Sequence, residues 1–256
     1  MGNRGFEAPC RSGSTAVTAA WKIALDKMLI HSEAEVWTTG SLWSDALLQT
    51  KPPSRPTFER WISEAVQAGK LKKVRAGIFV NAAGNSSVSP AAAAGFIRRS
   101  AIPSLSWVLE QNWILNNFGD VITCTVPMAP GLQVPNLSAV KTPYGTYQFR
   151  ALPWRLQELD ALPVADWRDD RYAHPRATPE KAFCDWLYLG QSPRSSLRSA
   201  PFDLDYDKFN KARLKRIVGA MGIKETYENW LEKKQHYDQD PEVRENTSLR
   251  TTNRPA

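Results

Sequence analysis

Apolar residues recur at Phe58, Trp61, Ile62, Ala65 and Val66, at i, i+3, i+4, i+7 and i+8. The stripe predicts a helix over residues 55–68 with one face on a core. Lys51-Pro52-Pro53 breaks the chain before it, Ser54 can cap it, Pro56 is tolerated in its first turn, and Gly69 supplies the stop. Upstream, residues 19–30 carry Trp21, Ile23, Ala24, Lys27 and Met28 at helical spacing. Residues 40–48 carry Leu42, Trp43, Ala46 and Leu47 on one side. Downstream the period changes to two: residues 71–74 and 78–80 alternate as short strands about Arg75-Ala76-Gly77, a hairpin signal. Helix, turn, helix and basic hairpin together predict a winged helix-turn-helix over residues 19–81.

Residues 81–94 are small and polar with Gly and Pro, which reads as a linker running into a helix start; the linker is placed at 82–88. The second half mixes element types. A helix is predicted over 104–115 after Pro103, and strands over 121–127 and 144–152. Thr178-Pro179-Glu180 opens a helix that runs to Leu189 and stops at Gly190, with Thr178 as the cap. Further helices are predicted over 207–221, ended by Gly222, and over 225–235. Residues 89–235 therefore form a mixed α/β domain, and the whole chain is expected to be α+β. Residues 1–18 and 236–256 are polar and aperiodic and read as tails. Trp61, Trp107, Trp186 and Trp230 fall within helical stripes, where core packing is expected of them.

Composition narrows the function. The chain has 256 residues, 42% of them hydrophobic and 23% charged, enough for a substantial core. No apolar run approaches the ~18 residues that span a bilayer, and residues 1–18 lack the apolar segment of a secretory signal, so a cytoplasmic location is expected. The net charge is +7, and residues 1–80, with 11 basic and 7 acidic side chains, hold +4 of it. The excess coincides with the helix-turn-helix signal and favours a polyanion. Three cysteines, Cys10, Cys124 and Cys184, and three histidines, His31, His174 and His236, are scattered without metal-ligand spacing. Phosphate-cradling loops, dinucleotide fingerprints and nucleophile elbows are absent, so neither a cofactor nor an enzymatic activity is expected.

The candidate chemistry lies on two faces. Opposite the apolar stripe stand Glu59, Arg60, Ser63 and Gln67, with Arg55 and Thr57 near the N-terminal end. Arg pairs bidentately with guanine and Gln with adenine, while hydroxyls and the helix N-terminus suit phosphates. Lys70, Lys72, Lys73 and Arg75 add four positive charges for phosphate contact. A small domain used for packing or protein contact is the other reading of this segment. The second face is Lys208, Lys211, Lys215 and Arg216 on the helix over 207–221, opposite Phe209, Ala212, Ile217 and Val218. It reads as a second contact surface, for nucleic acid or an acidic protein, or as a solvated helix face. Asp203, Asp205 and Asp207 alternate like a nuclease metal set, but Asp205 or Asp207 serves more simply as an N-cap.

The chain resembles the AbiEi-type antitoxins of abortive-infection, type IV toxin–antitoxin systems. The wing matches at Gly69, Lys70, Leu71, Arg75, Gly77, Phe79 and Val80, and a helix opening matches in part at Ser104, Leu105, Val108 and Leu109. The most specific match is Thr178, Pro179, Glu180, Lys181, Ala182, Asp185, Leu187, Tyr188 and Leu189. The order is kept from about residue 38 to residue 231. Val108 replaces a small Ala, and Trp113 stands where a Tyr-His-Gly type stretch is usual. The resemblance implies a non-enzymatic antitoxin that represses its own operon through operator DNA bearing inverted repeats. It also implies a C-terminal domain that counteracts a cognate nucleotidyltransferase toxin. Two or more copies on the DNA are expected, because one helix reads too few base pairs for operator-level specificity. A stand-alone regulator whose second domain senses a ligand or partner is the other reading.

Overall fold

The structure is a computed structural model that describes residues 19–32, 34–84, 89–116, 119–129, 137–158, 176–192 and 197–240. The expected tail over 1–18, residues 241–256 of the second expected tail, most of the linker at 85–88, Cys10 and His174 lie outside the described residues. The architecture is α+β, with two sheets among the described residues. The N-terminal half runs α1 (Ala20–His31), β1 (Val36–Thr38), α2 (Thr39–Leu47), α3 (Arg55–Gln67), β2 (Leu71–Arg75) and β3 (Ile78–Asn81). Its strands form an antiparallel sheet in the order β1-β3-β2.

Local chemistry sets each of these elements. Thr38 and Ser41 form a reciprocal capping box at the start of α2. Gly69, at φ 71°, closes α3: Lys70 N–H bonds to the Ala65 carbonyl at 2.9 Å and Gly69 N–H to Val66 at 3.1 Å. Ser54 occupies the N-cap of α3, but its hydroxyl bonds the Thr57 hydroxyl at 2.8 Å rather than the backbone. Phe58, Trp61, Ile62 and Ala65 are buried as the stripe predicts. The α1 face differs from expectation. Trp21, Leu25 and Leu29 are buried, whereas Ile23 and Lys27 point outward. Strand β1 carries no signal in the sequence, because three residues give no alternation to read.

The second half opens with a 3-10 turn, Pro90–Ala93, and α4 (Ala94–Ile97). A mixed sheet follows in the order β4-β5-β7-β6, from β4 (Ile102–Pro103), β5 (Val121–Met128), β6 (Val140–Thr142) and β7 (Gly145–Pro153). Strands β5 and β7 are parallel; β4 and β6 are antiparallel edges too short to show in the sequence. Helices α5 (Leu105–Gln111), α6 (Trp154–Glu158), α7 (Pro179–Gly190), α8 (Lys211–Met221) and α9 (Lys224–Gln239) complete the described chain. Helix α5 is shorter than predicted because a turn at Asn112-Trp113 ends it. Helix α8 starts four residues later than predicted. Residues Tyr206–Lys208 form a 3-10 turn, and Asn210, not Asp205 or Asp207, caps α8 by accepting from Arg213 N–H at 3.0 Å. Its buried face is Leu214, Ile217, Val218 and Met221, and Ala212 is exposed. Helix α9 continues into the stretch read as a tail, since Tyr237 is buried against Phe202.

Helix α7 carries a buried charge pair. Thr178 caps it by accepting from Lys181 N–H at 3.2 Å. Lys181 then pairs with Asp185 one turn on, both buried, and the Ser104 hydroxyl donates to the other Asp185 oxygen at 2.8 Å. Glu180 accepts from Asn210 N–H at 2.8 Å. The motif thus ties α7 to the start of α5 and to the start of α8.

Two apolar cores form. One gathers α1, α2, α3 and one side of the first sheet, with Leu71 and Phe79. The other fills the second half and also takes in Val36, Val74 and Val80 from the opposite side of that sheet, beside residues 91–94, which are all buried alanines. The expected linker therefore ends in a packed seam. The buried Tyr147 donates to the Pro90 carbonyl from the far side.

Candidate nucleic-acid interface

The outward face of α3 exposes Arg55, Thr57, Glu59, Arg60, Ser63 and Gln67 together, as its stripe requires. Their commitments differ. Arg55 bonds Glu59 at 2.8 Å and lies 5.0 Å from the Trp43 ring centroid. An exposed i,i+4 pair contributes only about 0.3–0.5 kcal/mol, so a phosphate displaces it at little cost. The Ser63 hydroxyl donates to the Glu59 carbonyl at 3.1 Å, and the Thr57 hydroxyl is shared with Ser54. Arg60 and Gln67 make no hydrogen bond or ion pair with a described residue, which leaves their polar groups for an external partner.

The basic hairpin is less uniform than its sequence. Lys70 is half-buried and pairs with Asp26 at 2.7 Å, and the other Asp26 oxygen accepts from the Trp61 indole N–H at 3.3 Å. Asp26 thus joins α1, α3 and the start of β2, and Lys70 serves that joint rather than an open grip. Lys72 faces Val80 across the ladder and Lys73 faces Phe79. Successive strand residues point to opposite sides, so the two exposed lysines leave the sheet in opposite directions. A register shift between Lys73 and Arg75 re-aims the end of β2, and Arg75 is exposed beside the turn. Gly77, at φ 76°, makes that turn, and its carbonyl accepts from Thr39 N–H at 2.9 Å. The hairpin tip is therefore fixed to the start of α2.

The second basic face divides. Lys208 lies before α8 in the 3-10 turn, pairs with Asp205 at 3.2 Å and donates to the Trp113 carbonyl at 2.5 Å. Lys211 donates to the Tyr206 carbonyl, lies 3.3 Å from the centroid of that ring, and sits 3.7 Å from Asp207. Burial lowers its pKa, with Asp207 acting against that shift. Lys215 and Arg216 remain exposed on the α8 surface. The four side chains do not form one basic stripe. Among the described residues no group of three or more His, Cys, Asp or Glu is placed to hold a metal ion. No described helix is long and apolar enough to cross a membrane.

No family model matches the chain, and no curated protein does. Among solved structures, the RV2827C protein from Mycobacterium tuberculosis is similar at 15% sequence identity and a TM-score of 0.46, covering 78% of this chain and 72% of that one.

Proposed function

We propose that residues 19–81 are a winged helix-turn-helix that binds operator DNA, with α3 in the major groove and the β2–β3 hairpin on the adjacent backbone. One observation carries the reading: α3 turns Arg60 and Gln67 outward, and neither makes a hydrogen bond or ion pair with a described residue. Arg and Gln are the side chains that read guanine and adenine edges bidentately. The order helix, strand, helix, helix, hairpin supports it, as does the concentration of positive charge in this half. Two copies on an inverted repeat supply the specificity that one helix lacks.

Gel shifts on the flanking intergenic DNA test the proposal. Arg60→Ala with Gln67→Ala relaxes discrimination between the operator and a scrambled duplex, by about 1–3 kcal/mol for each base edge no longer read. Lys72→Ala with Lys73→Ala weakens all duplexes and lowers the salt slope by about one, since the two leave the sheet in opposite directions and one of them meets the backbone. Unchanged affinity in both variants at ~100 mM salt places the DNA surface elsewhere.

On the resemblance carried by residues 178–189, we propose further that the chain is a non-enzymatic antitoxin repressing its own operon. Its second half counteracts a cognate nucleotidyltransferase toxin. Two observations test this role: a nucleotidyltransferase gene adjacent to this one, and rescue of growth when the two are co-expressed. A ligand-sensing regulator has less support. An open cleft of about 260 Å³ between the C-terminal end of α7 and α9, lined in part by Gln191, Thr226 and Lys233, is below the ~300 Å³ at which small-molecule sites begin.

A further inference from the structure

Arg55 and Glu59 lie one turn apart at the edge of the outward face of α3, and both are exposed. Arg55 rests on an aromatic floor. Its guanidinium lies 5.0 Å from the ring centroid of Trp43, in α2, and 5.8 Å from that of Phe58, and the two rings pack together with centroids 5.0 Å apart. Glu59 holds the same group from the side, its Oε1 accepting from Arg55 Nε at 2.8 Å. Rings on one face and a carboxylate at Nε fix the guanidinium plane, so little rotamer freedom is left to lose on binding. The atoms left over are specific. The Nη1 and Nη2 fork of Arg55 and Oε2 of Glu59 make no hydrogen bond with a described residue.

Displacing Glu59 for a phosphate costs little in itself, but it leaves a bare carboxylate facing the polyanion. A base edge asks for no displacement. With Nε occupied, the Nη fork presents two parallel N–H donors, the pattern that guanine O6 and N7 accept. Oε2 beside it is an acceptor, and the base donor that carboxylates take in the major groove is the cytosine N4 amino group. Adenine also offers an amino group there, but with the N7 acceptor next to it, which a carboxylate disfavours. The pair carries no net charge, so it contributes selectivity where the exposed cations of the hairpin contribute affinity.

We infer that Arg55 and Glu59 act as one reading unit for two successive G·C pairs in each operator half-site, Arg55 taking the guanine of one and Glu59 the cytosine of the other; the inference rests on α3 being the helix in the major groove. Duplexes selected from a randomised library by the full chain and by its Arg55→Ala, Glu59→Gln and Glu59→Ala variants are sequenced, with affinities across salt and thermal melts in parallel. The parent is expected to enrich the two G·C pairs. Arg55→Ala loses the preference for the first by about 5- to 100-fold, the worth of one bidentate contact. Glu59→Gln still accepts from Nε but exchanges the second pair for A·T, because an amide suits adenine. Glu59→Ala loses the preference at the second pair, binds a scrambled duplex more tightly, and steepens the salt slope by about one, because the released Arg55 takes a phosphate. A pair that only steadies the helix lowers the melting temperature and leaves the enriched bases as they were. Unchanged bases in both Glu59 variants therefore overturn the proposal, as does weaker scrambled-duplex binding by Glu59→Ala. A parent that enriches a defined site without the two G·C pairs sinks this unit alone. A parent that binds no duplex sinks the winged-helix reading with it.

Discussion

Glu110 is a carboxylate on α5 that the fold buries and that makes no ion pair with a described residue. Burial raises its pKa from the usual 4.5 to about 7. The folded state thus prefers the protonated form, so its contribution to stability is complete below about pH 4.5 and is lost as pH rises through about 7. The melting temperature is expected to fall between pH 5 and pH 8. Glu110→Gln flattens that part of the profile and raises stability at pH 8 by at most about 3 kcal/mol. Thermal melts of both proteins across the range check this, and parallel profiles refute it. The same helix shows what residue types disclose and conceal. Its apolar residues announce it, but nothing in its sequence marks Trp113 as left-handed, because that place is normally read from glycine.

At the scale of elements, the Lys181–Asp185 pair decides how α7 is held. Removing one member of a buried pair leaves an uncompensated charge, so Asp185→Ala is expected to cost about 3–5 kcal/mol, measured by denaturant unfolding. Lys181→Met with Asp185→Leu recovers most of it, because an apolar pair of similar volume replaces the charges. A full loss in the double variant shows that the charges themselves are required. This motif carries the resemblance, and its described contacts hold helices in place rather than form an open site. Elements with a cap, a period and a stop are legible: α3, α7 and the β2–β3 hairpin lie within a residue or two of prediction. Strands β1, β4 and β6 have two or three residues each and owe their form to partners distant in sequence, which no local pattern reports. The two basic faces are legible as composition but not as geometry. Lys72 and Lys73 part by strand alternation, Lys70 turns to Asp26, and Lys208 and Lys211 to Asp205 and Asp207.

At the scale of the whole molecule, the first sheet is covered on both sides, by its own helices on one and by residues 91–94 on the other. Shared burial couples unfolding free energies, so one thermal transition is expected, with far-ultraviolet and tryptophan signals coinciding. Two separated transitions show independent halves instead. Ala93→Leu overfills the seam and lowers that single transition as a unit, by about 1–3 kcal/mol.

The seam also bears on engineering. Alanine has no rotamers with which to adapt, so four in a row fix the shape that Val36, Val74 and Val80 must present. A first half transplanted from another chain therefore meets either a gap or a clash unless it arrives with matching valines. Substitution of outward α3 side chains in place is expected to leave the fold intact, whereas exchange of the whole of residues 19–81 is not.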